Sequence, residues 1–224
     1  MQTKAQAIAA LKQFDVRDKF DSLPVLPKAS VLIPLFVRDG KLHVLLTQRS
    51  QQLRTGRGEV CFPGGKRDPS DLDDVDTALR EAMEEIGLKP DDVQVVCTLY
   101  PVFSKTGLLV TPVVGFIEET FHPTPNPAEV SAVFTVPLDF FICEKDHSAA
   151  QCHGVPGMLG PLHSFYFQDP VSGREFHIWG LTALLAVLVA VLALKRKPEF
   201  DTGFDLEDPF SFFHQILHLR LSKL

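Results

Sequence analysis

The run Arg80-Glu81-Ala82-Met83-Glu84-Glu85-Ile86-Gly87-Leu88 concentrates more chemistry than any other stretch of the chain. On a helix, Glu81 and Glu85 stand four residues apart and share a face, with Glu84 beside them. Three carboxylates so close repel one another, and a cation would relieve the repulsion. Hard oxygen ligands select Mg2+ or Mn2+. Glu81, Glu84 and Glu85 are therefore candidate metal ligands and catalytic groups. Arg80 can pair with one glutamate and fix its rotamer, while Ala82, Met83 and Ile86 supply apolar contacts to a sheet. A solvated acidic helix face is the plainer alternative. Against it stand Gly64 and Gly65 after Pro63, which let the backbone approach the helix closely and make the Gly65 carbonyl a further candidate ligand. Upstream, Arg49 and Arg54 offer planar forks for phosphate oxygens and Ser50 offers a hydrogen-bond donor. Two arginines alone read equally well as surface ion pairs.

The stretch from Gly65 to Leu88 resembles the Nudix box, G-x5-E-x7-R-E-U-x-E-E-x-G-U with U apolar. Arg80, Glu81, Glu84, Glu85 and Gly87 fall on its defined positions, with Ala82 and Leu88 at the apolar ones. The first half departs, since Asp71 stands where the box has glutamate and the gap to Arg80 is one residue longer. Leu45-Leu46-Thr47, Arg49-Ser50, Arg54, Gly58 and Phe62-Pro63-Gly64-Gly65 match L-L-T-x-R-S-x3-R-x3-G-x3-F-P-G-G throughout. That motif resembles the signature of the coenzyme A diphosphatase branch of the family.

The resemblance implies an α/β (α+β) fold, an α/β/α sandwich around a mixed sheet. It also implies metal-dependent hydrolysis of the diphosphate of coenzyme A or acyl-coenzyme A. Glu81, Glu85 and Glu84 would then hold Mg2+ or Mn2+ with the Gly65 carbonyl, and Arg80 would orient them. Arg49, Ser50, Arg54 and Gly58 would belong to the substrate motif. Glu129, just before a strand at 130–136, is the candidate general base from outside the box, against the alternative of an ordinary loop acid. Two competing readings are a Nudix hydrolase of dinucleotides or nucleotide sugars and a non-catalytic coenzyme A binding module.

These residues need a scaffold. Strand patterns run over 29–37, 42–47, 93–100, 108–117, 130–136 and 164–168, and Asp39-Gly40 signals a hairpin. Asp73 or Asp74 can cap a helix that runs to about Ile86, where Gly87 can end it. Residues 1–26 read as an N-terminal extension with a short helix at 4–14. The hydrolase domain spans 27–195, and a tail follows over 196–224 with a helix at 210–221. The chain is 224 residues long, 45% apolar and carries a formal charge of −6. An acidic chain repels a phosphate backbone, so nucleic acid is not the expected partner. Cys61, Cys97, Cys143 and Cys152 match no zinc spacing and read as reduced thiols. His153, His163 and His177 show no partner pattern and read as polar or packing residues. Ile178 to Leu194 is an apolar run of 17 residues. It is at the lower limit for a membrane span, and the upstream strands favour a core helix instead. Ala183, Ala186, Ala190 and Ala193 form a small-residue stripe along it. Ser222-Lys223-Leu224 ends the chain in the tripeptide read by the peroxisomal import receptor.

Overall fold

A computed structural model describes residues 3–17, 26–151 and 160–222. Cys152, His153, Lys223 and Leu224 lie outside the described residues. The elements in chain order are α1 (Lys4–Lys12), β1 (Lys28–Arg38), β2 (Lys41–Arg49), β3 (Val60–Cys61), β4 (Gly64–Lys66) and α2 (Asp74–Ile86). Then come β5 (Gln94–Thr98), β6 (Val102–Phe103), β7 (Leu109–Phe116), β8 (Val130–Pro137) and β9 (His147–Gln151). The last are β10 (Pro161–Gln168), β11 (Glu175–Trp179), α3 (Gly180–Leu194) and α4 (Pro209–Leu221).

β1 organises the main sheet, whose order is β3-β2-β1-β7-β5. It pairs in parallel with β7 and antiparallel with β2, which makes the sheet mixed. β4 pairs with β1 at Ala29–Val31, before the stretch that meets β2. The β1–β2 hairpin turns on Asp39 and Gly40, both at positive φ (51° and 72°), the geometry that such a two-residue turn requires. Period-two alternation in β1 separates the two faces. Leu32 and Phe36 pack with Ala78, Ala82 and Ile86 of α2, while Ala29, Ile33 and Leu35 enter the larger core on the opposite face. Because β1 is covered on both sides, it reads as a continuous apolar run.

That opposite face is closed by α3, α1 and the three-stranded sheet β11-β10-β9. The apolar run at 178–194 divides in two. Ile178 and Trp179 finish β11, and the helix begins only at Gly180. All four alanines of the stripe are buried. Among the described residues, no helix is long and apolar enough to cross a membrane. The strands β3, β4, β6, β9 and β11 carry no pattern of their own in the sequence. Each is two to five residues long and is defined by its partner.

Both ends of the chain join the larger core. α1 is opened by a capping box, in which Thr3 Oγ1 accepts the Gln6 N–H at 3.2 Å and Gln6 Oε1 accepts the Thr3 N–H at 2.9 Å. Its Ala7 and Leu11 are fully buried. In α4, Phe213 and Leu217 are buried, and Tyr100 Oη meets His214 Nδ1 at 2.6 Å. Leu11→Ala should therefore destabilise the protein by about 2–5 kcal/mol, the usual cost of a truncated core leucine. Equilibrium denaturation of the variant checks this. A loss under about 0.5 kcal/mol, the typical effect at a surface position, would mean that α1 is not part of the folded unit.

Candidate active site

The helix α2 is built to place carboxylates against a tight backbone. Asp73 caps it, accepting the Asp76 N–H at 2.8 Å. Gly87 ends it in the left-handed region (φ 72°), with its N–H on Met83 O at 3.0 Å. The buried stripe is Thr77, Ala78, Ala82, Glu85 and Ile86, so one glutamate is on the core side. Met83 is on the other side and exposed, so Leu88 takes the packing role expected of it. Bare backbone lies against this stripe. A Cβ at Gly65 would collide with the Glu81 carboxyl, and one at Gly64 would overlap the Ser30 carbonyl and Val31. The Gly64 N–H donates to Glu85 Oε2 at 3.2 Å.

The three glutamates are not equivalent. Glu85 is only 3% exposed, and Glu81 is half-sheltered. Glu84 is exposed and held by Arg80 Nη1 at 3.2 Å. Burial pushes the Glu85 carboxyl up to about 7. The charges of Glu81 and Glu129 push the same way, against the Gly64 N–H and the Arg49 guanidinium. Burial also raises Glu81, with Glu84 and Glu129 adding to it and Arg80 opposing. Glu129 thus stands within electrostatic reach of both helix glutamates. Its carbonyl accepts the Ser50 N–H at 2.8 Å, which fixes the loop beside the end of β2.

Arg80 is the organising cation, and its main partner is not a glutamate. Its Nε and Nη2 donate to the two oxygens of Asp71 at 2.8 and 3.0 Å, a bidentate pair with a buried carboxylate. Nη1 reaches Glu81 at 3.1 Å as well as Glu84, and Nη2 also donates to Lys66 O at 3.0 Å. The Arg80 guanidinium holds Asp71 well below the usual carboxylate range, helped by Thr77 Oγ1 at 2.8 Å and the Asp68 N–H at 2.8 Å. Asp71 occupies the box glutamate's place one residue early, so its anchoring role was signalled by position. Nothing in the sequence marked Thr77.

Among the described residues, no three His, Cys, Asp or Glu side chains converge as a ready-made metal cage. The donor set fits a magnesium-type ion nonetheless. Such an ion takes one or two carboxylates and completes its shell with water and substrate phosphate. Glu81 and Glu85 are two carboxylates raised by burial, and a cation beside them would offset that cost.

A NUDIX domain model matches residues 26–151, more than half of the chain. The chain belongs to the Nudix hydrolase family. It is 46% identical over 202 residues to the peroxisomal coenzyme A diphosphatase NUDT7 of Mus musculus, covering 90% of this chain and 85% of that protein. It is 44% identical to the chloroplastic Nudix hydrolase 22 and 43% identical to the mitochondrial Nudix hydrolase 15, both of Arabidopsis thaliana. Each of those matches covers 77% of this chain, which spans 57% and 61% of the two plant proteins. Nudix hydrolases use divalent metal ions, in keeping with the donor set on α2.

In this Nudix hydrolase Arg49, Ser50, Arg54 and Gly58 occupy one hairpin and its loop. Arg49, at the end of β2, is half-buried and near enough to Glu85 to favour its charged form. Ser50 is buried, and its Oγ accepts the Gln52 N–H at 3.3 Å. Gly58 closes the loop, donating to Arg49 O at 3.2 Å and accepting from Gln48 Nε2 at 3.1 Å. Arg54 is exposed and forms no ion pair with another described residue. His163 is buried between His147 Nε2 at 3.0 Å and Thr202 O at 3.1 Å, a structural role remote from α2 in sequence.

The raised Glu85 carboxyl has a consequence for stability. An acid whose folded pKa lies above its unfolded value binds more protons in the folded state, so stability falls as pH rises between the two. Without metal, the Glu85 penalty should be absent below about pH 4.5 and complete above about pH 7, at about 3 kcal/mol. Glu85→Gln should remove it. Metal-free denaturation at pH 4 and pH 8 checks this: the variant should gain on the wild type only at pH 8. An equal difference at both values would show that Glu85 is not held protonated by its surroundings.

Proposed function

We propose that this Nudix hydrolase splits the diphosphate of coenzyme A and acyl-coenzyme A, giving (acyl-)4′-phosphopantetheine and adenosine 3′,5′-bisphosphate. The observation that carries the reading is the unbroken motif from Leu45 to Gly65, folded so that the Gly64 N–H donates to Glu85 and the Arg49 charge reaches the same carboxyl. The name of the mouse relative supports the same substrate. Coenzyme A brings a diphosphate and a 3′-phosphate, and Arg49 and Arg54 supply charge to meet them.

Glu81 and Glu85, with Glu84 and the Gly65 carbonyl as further ligands, would hold Mg2+ or Mn2+, which when bound would supply positive charge to neutralise the diphosphate. Water adds to one phosphorus, the bridging P–O bond breaks, and the water proton passes to a base. Glu129 serves as that base, because its charge reaches both helix glutamates from a separate loop. Arg80, clamped by Asp71, keeps Glu81 in place. Ser50 acts through the backbone, tying Glu129 to the substrate hairpin. The address Ser222-Lys223-Leu224 would bring the enzyme to peroxisomes through the import receptor.

Glu81→Gln should remove most turnover of coenzyme A with the fold intact, because it deletes a negative ligand at similar volume. Mass analysis of products from coenzyme A, dephospho-coenzyme A and NADH tests the reaction itself. Coenzyme A should be cut to the two named products. Preferential cleavage of NADH would favour the dinucleotide reading. Arg54→Ala should weaken coenzyme A about ten- to a hundredfold more than dephospho-coenzyme A. Equal losses would mean that Arg54 does not read the 3′-phosphate. Deleting Ser222-Lys223-Leu224 should move the protein from peroxisomes to cytosol with unchanged activity in vitro. Retention in the organelle on imaging would refute the address.

A further inference from the structure

A cleft of about 400 Å3 opens beside the substrate hairpin. Arg49, Lys105, Val102 and Phe103 line it together with Leu162, Trp179, Leu181, Leu184, Phe213 and Ile216. The last six come from β10, β11, α3 and α4, all beyond residue 151, where the family match ends. Leu181, Leu184 and Ile216 are neither buried nor free, and their side chains line open space.

The cleft is lined by charged as well as apolar side chains. It opens beside the helix glutamates, since Cys61 and Arg49 line it, the Gly64 N–H three residues after Cys61 donates to Glu85, and the Arg49 charge reaches Glu85. The polar groups along the wall are mostly satisfied within the protein. Thr182 Oγ1 donates to Val60 O at 3.0 Å, Ser104 Oγ meets Thr106 Oγ1 at 2.9 Å, and Lys105 Nζ pairs with Glu59 Oε1 at 2.6 Å. Lys105 also lies 5.1 Å from the Trp179 ring centroid. Thr55, at the exposed rim, forms no hydrogen bond with another described residue through its hydroxyl. A nucleotide base would need free donors and acceptors for its edge, and an alkyl chain needs none.

We propose that this cleft receives the acyl chain of an acyl-coenzyme A, and that Leu184 and Ile216 determine which acyl-coenzyme A is bound best. An alkyl chain suits a lining in which apolar side chains outnumber charged ones and the polar groups are mostly paired already. The assignment rests on the coenzyme A reading of the neighbouring site.

Trp179 is the single tryptophan of the chain, so its fluorescence reports on the cleft directly. The full-length protein is titrated in EDTA, which blocks turnover, with coenzyme A, a series of saturated acyl-coenzyme A species, and adenosine 3′,5′-bisphosphate. Affinity should rise by up to about fourfold per added methylene until the cleft is filled, with a change in Trp179 emission. Leu184→Phe, which fills the cleft, should end that rise at a shorter chain. Ile216→Ala, a milder change, should reduce the preference for octanoyl-coenzyme A over coenzyme A about tenfold. Affinity independent of chain length, or a Trp179 response to adenosine 3′,5′-bisphosphate alone, would overturn the proposal. Chain-length-dependent binding without hydrolysis after metal is restored would uphold the cleft and refute the diphosphatase reading. Hydrolysis of coenzyme A without chain-length dependence would do the reverse.

Discussion

Carboxylate repulsion on one face of α2 is the constraint around which the structure is arranged. Glu81 and Glu85 are partly or fully withdrawn from water, and the negative charges around them resist their ionisation. Chains rarely bury carboxylates without a partner. Among the described residues, Glu85 receives one N–H, and one arginine is shared among Asp71, Glu81 and Glu84. A cation beside the two helix glutamates would offset the remaining charge. Features that look unrelated serve this arrangement. Gly64 and Gly65 give up side chains so that β4 can lie against the helix, and β4 in turn is held by β1. The buried Asp71 fixes Arg80 from below, so that the arginine steadies Glu81 without entering the site itself.

The helix α2 was legible in the sequence because its requirements are local. Spacing put Glu81 and Glu85 on one face, Asp73 and Gly87 marked its ends, and the fold conforms to each. What escaped were relations set by tertiary packing. The i,i+4 rule offered Arg80 a glutamate, and it has one in Glu84, but the stronger partner is Asp71, nine residues back across a loop. Met83 was grouped with Ala82 and Ile86 by apolarity, yet the helical turn carries it to solvent. Short strands such as β3 and β4 have too few residues to show periodicity and exist through their neighbours. The run at 178–194 looked uniform, although Gly180 (φ 63°) divides it between strand and helix.

The elements after residue 151 were the least informative as sequence and add most to the site's surroundings. A helix of buried apolar residues, α3, serves as floor for both the core and the cleft, and α4 closes the cleft with Phe213 and Ile216. The matched region supplies Arg49 and Lys105 along with Val60, Val102 and Phe103, and the later elements add most of the remaining apolar lining.

The central claim is that Glu85 is a buried carboxyl held in readiness for a metal ion, and proton release on metal binding tests it most directly. Calorimetric titration of Mg2+ at pH 7, in buffers of different ionisation enthalpy, counts the protons. With a Glu85 carboxyl at about 7, wild-type protein should release about half a proton per binding event, and Glu85→Gln should bind more weakly and release none. Equal proton release by both proteins, or unaltered Mg2+ affinity in the variant, would contradict the account.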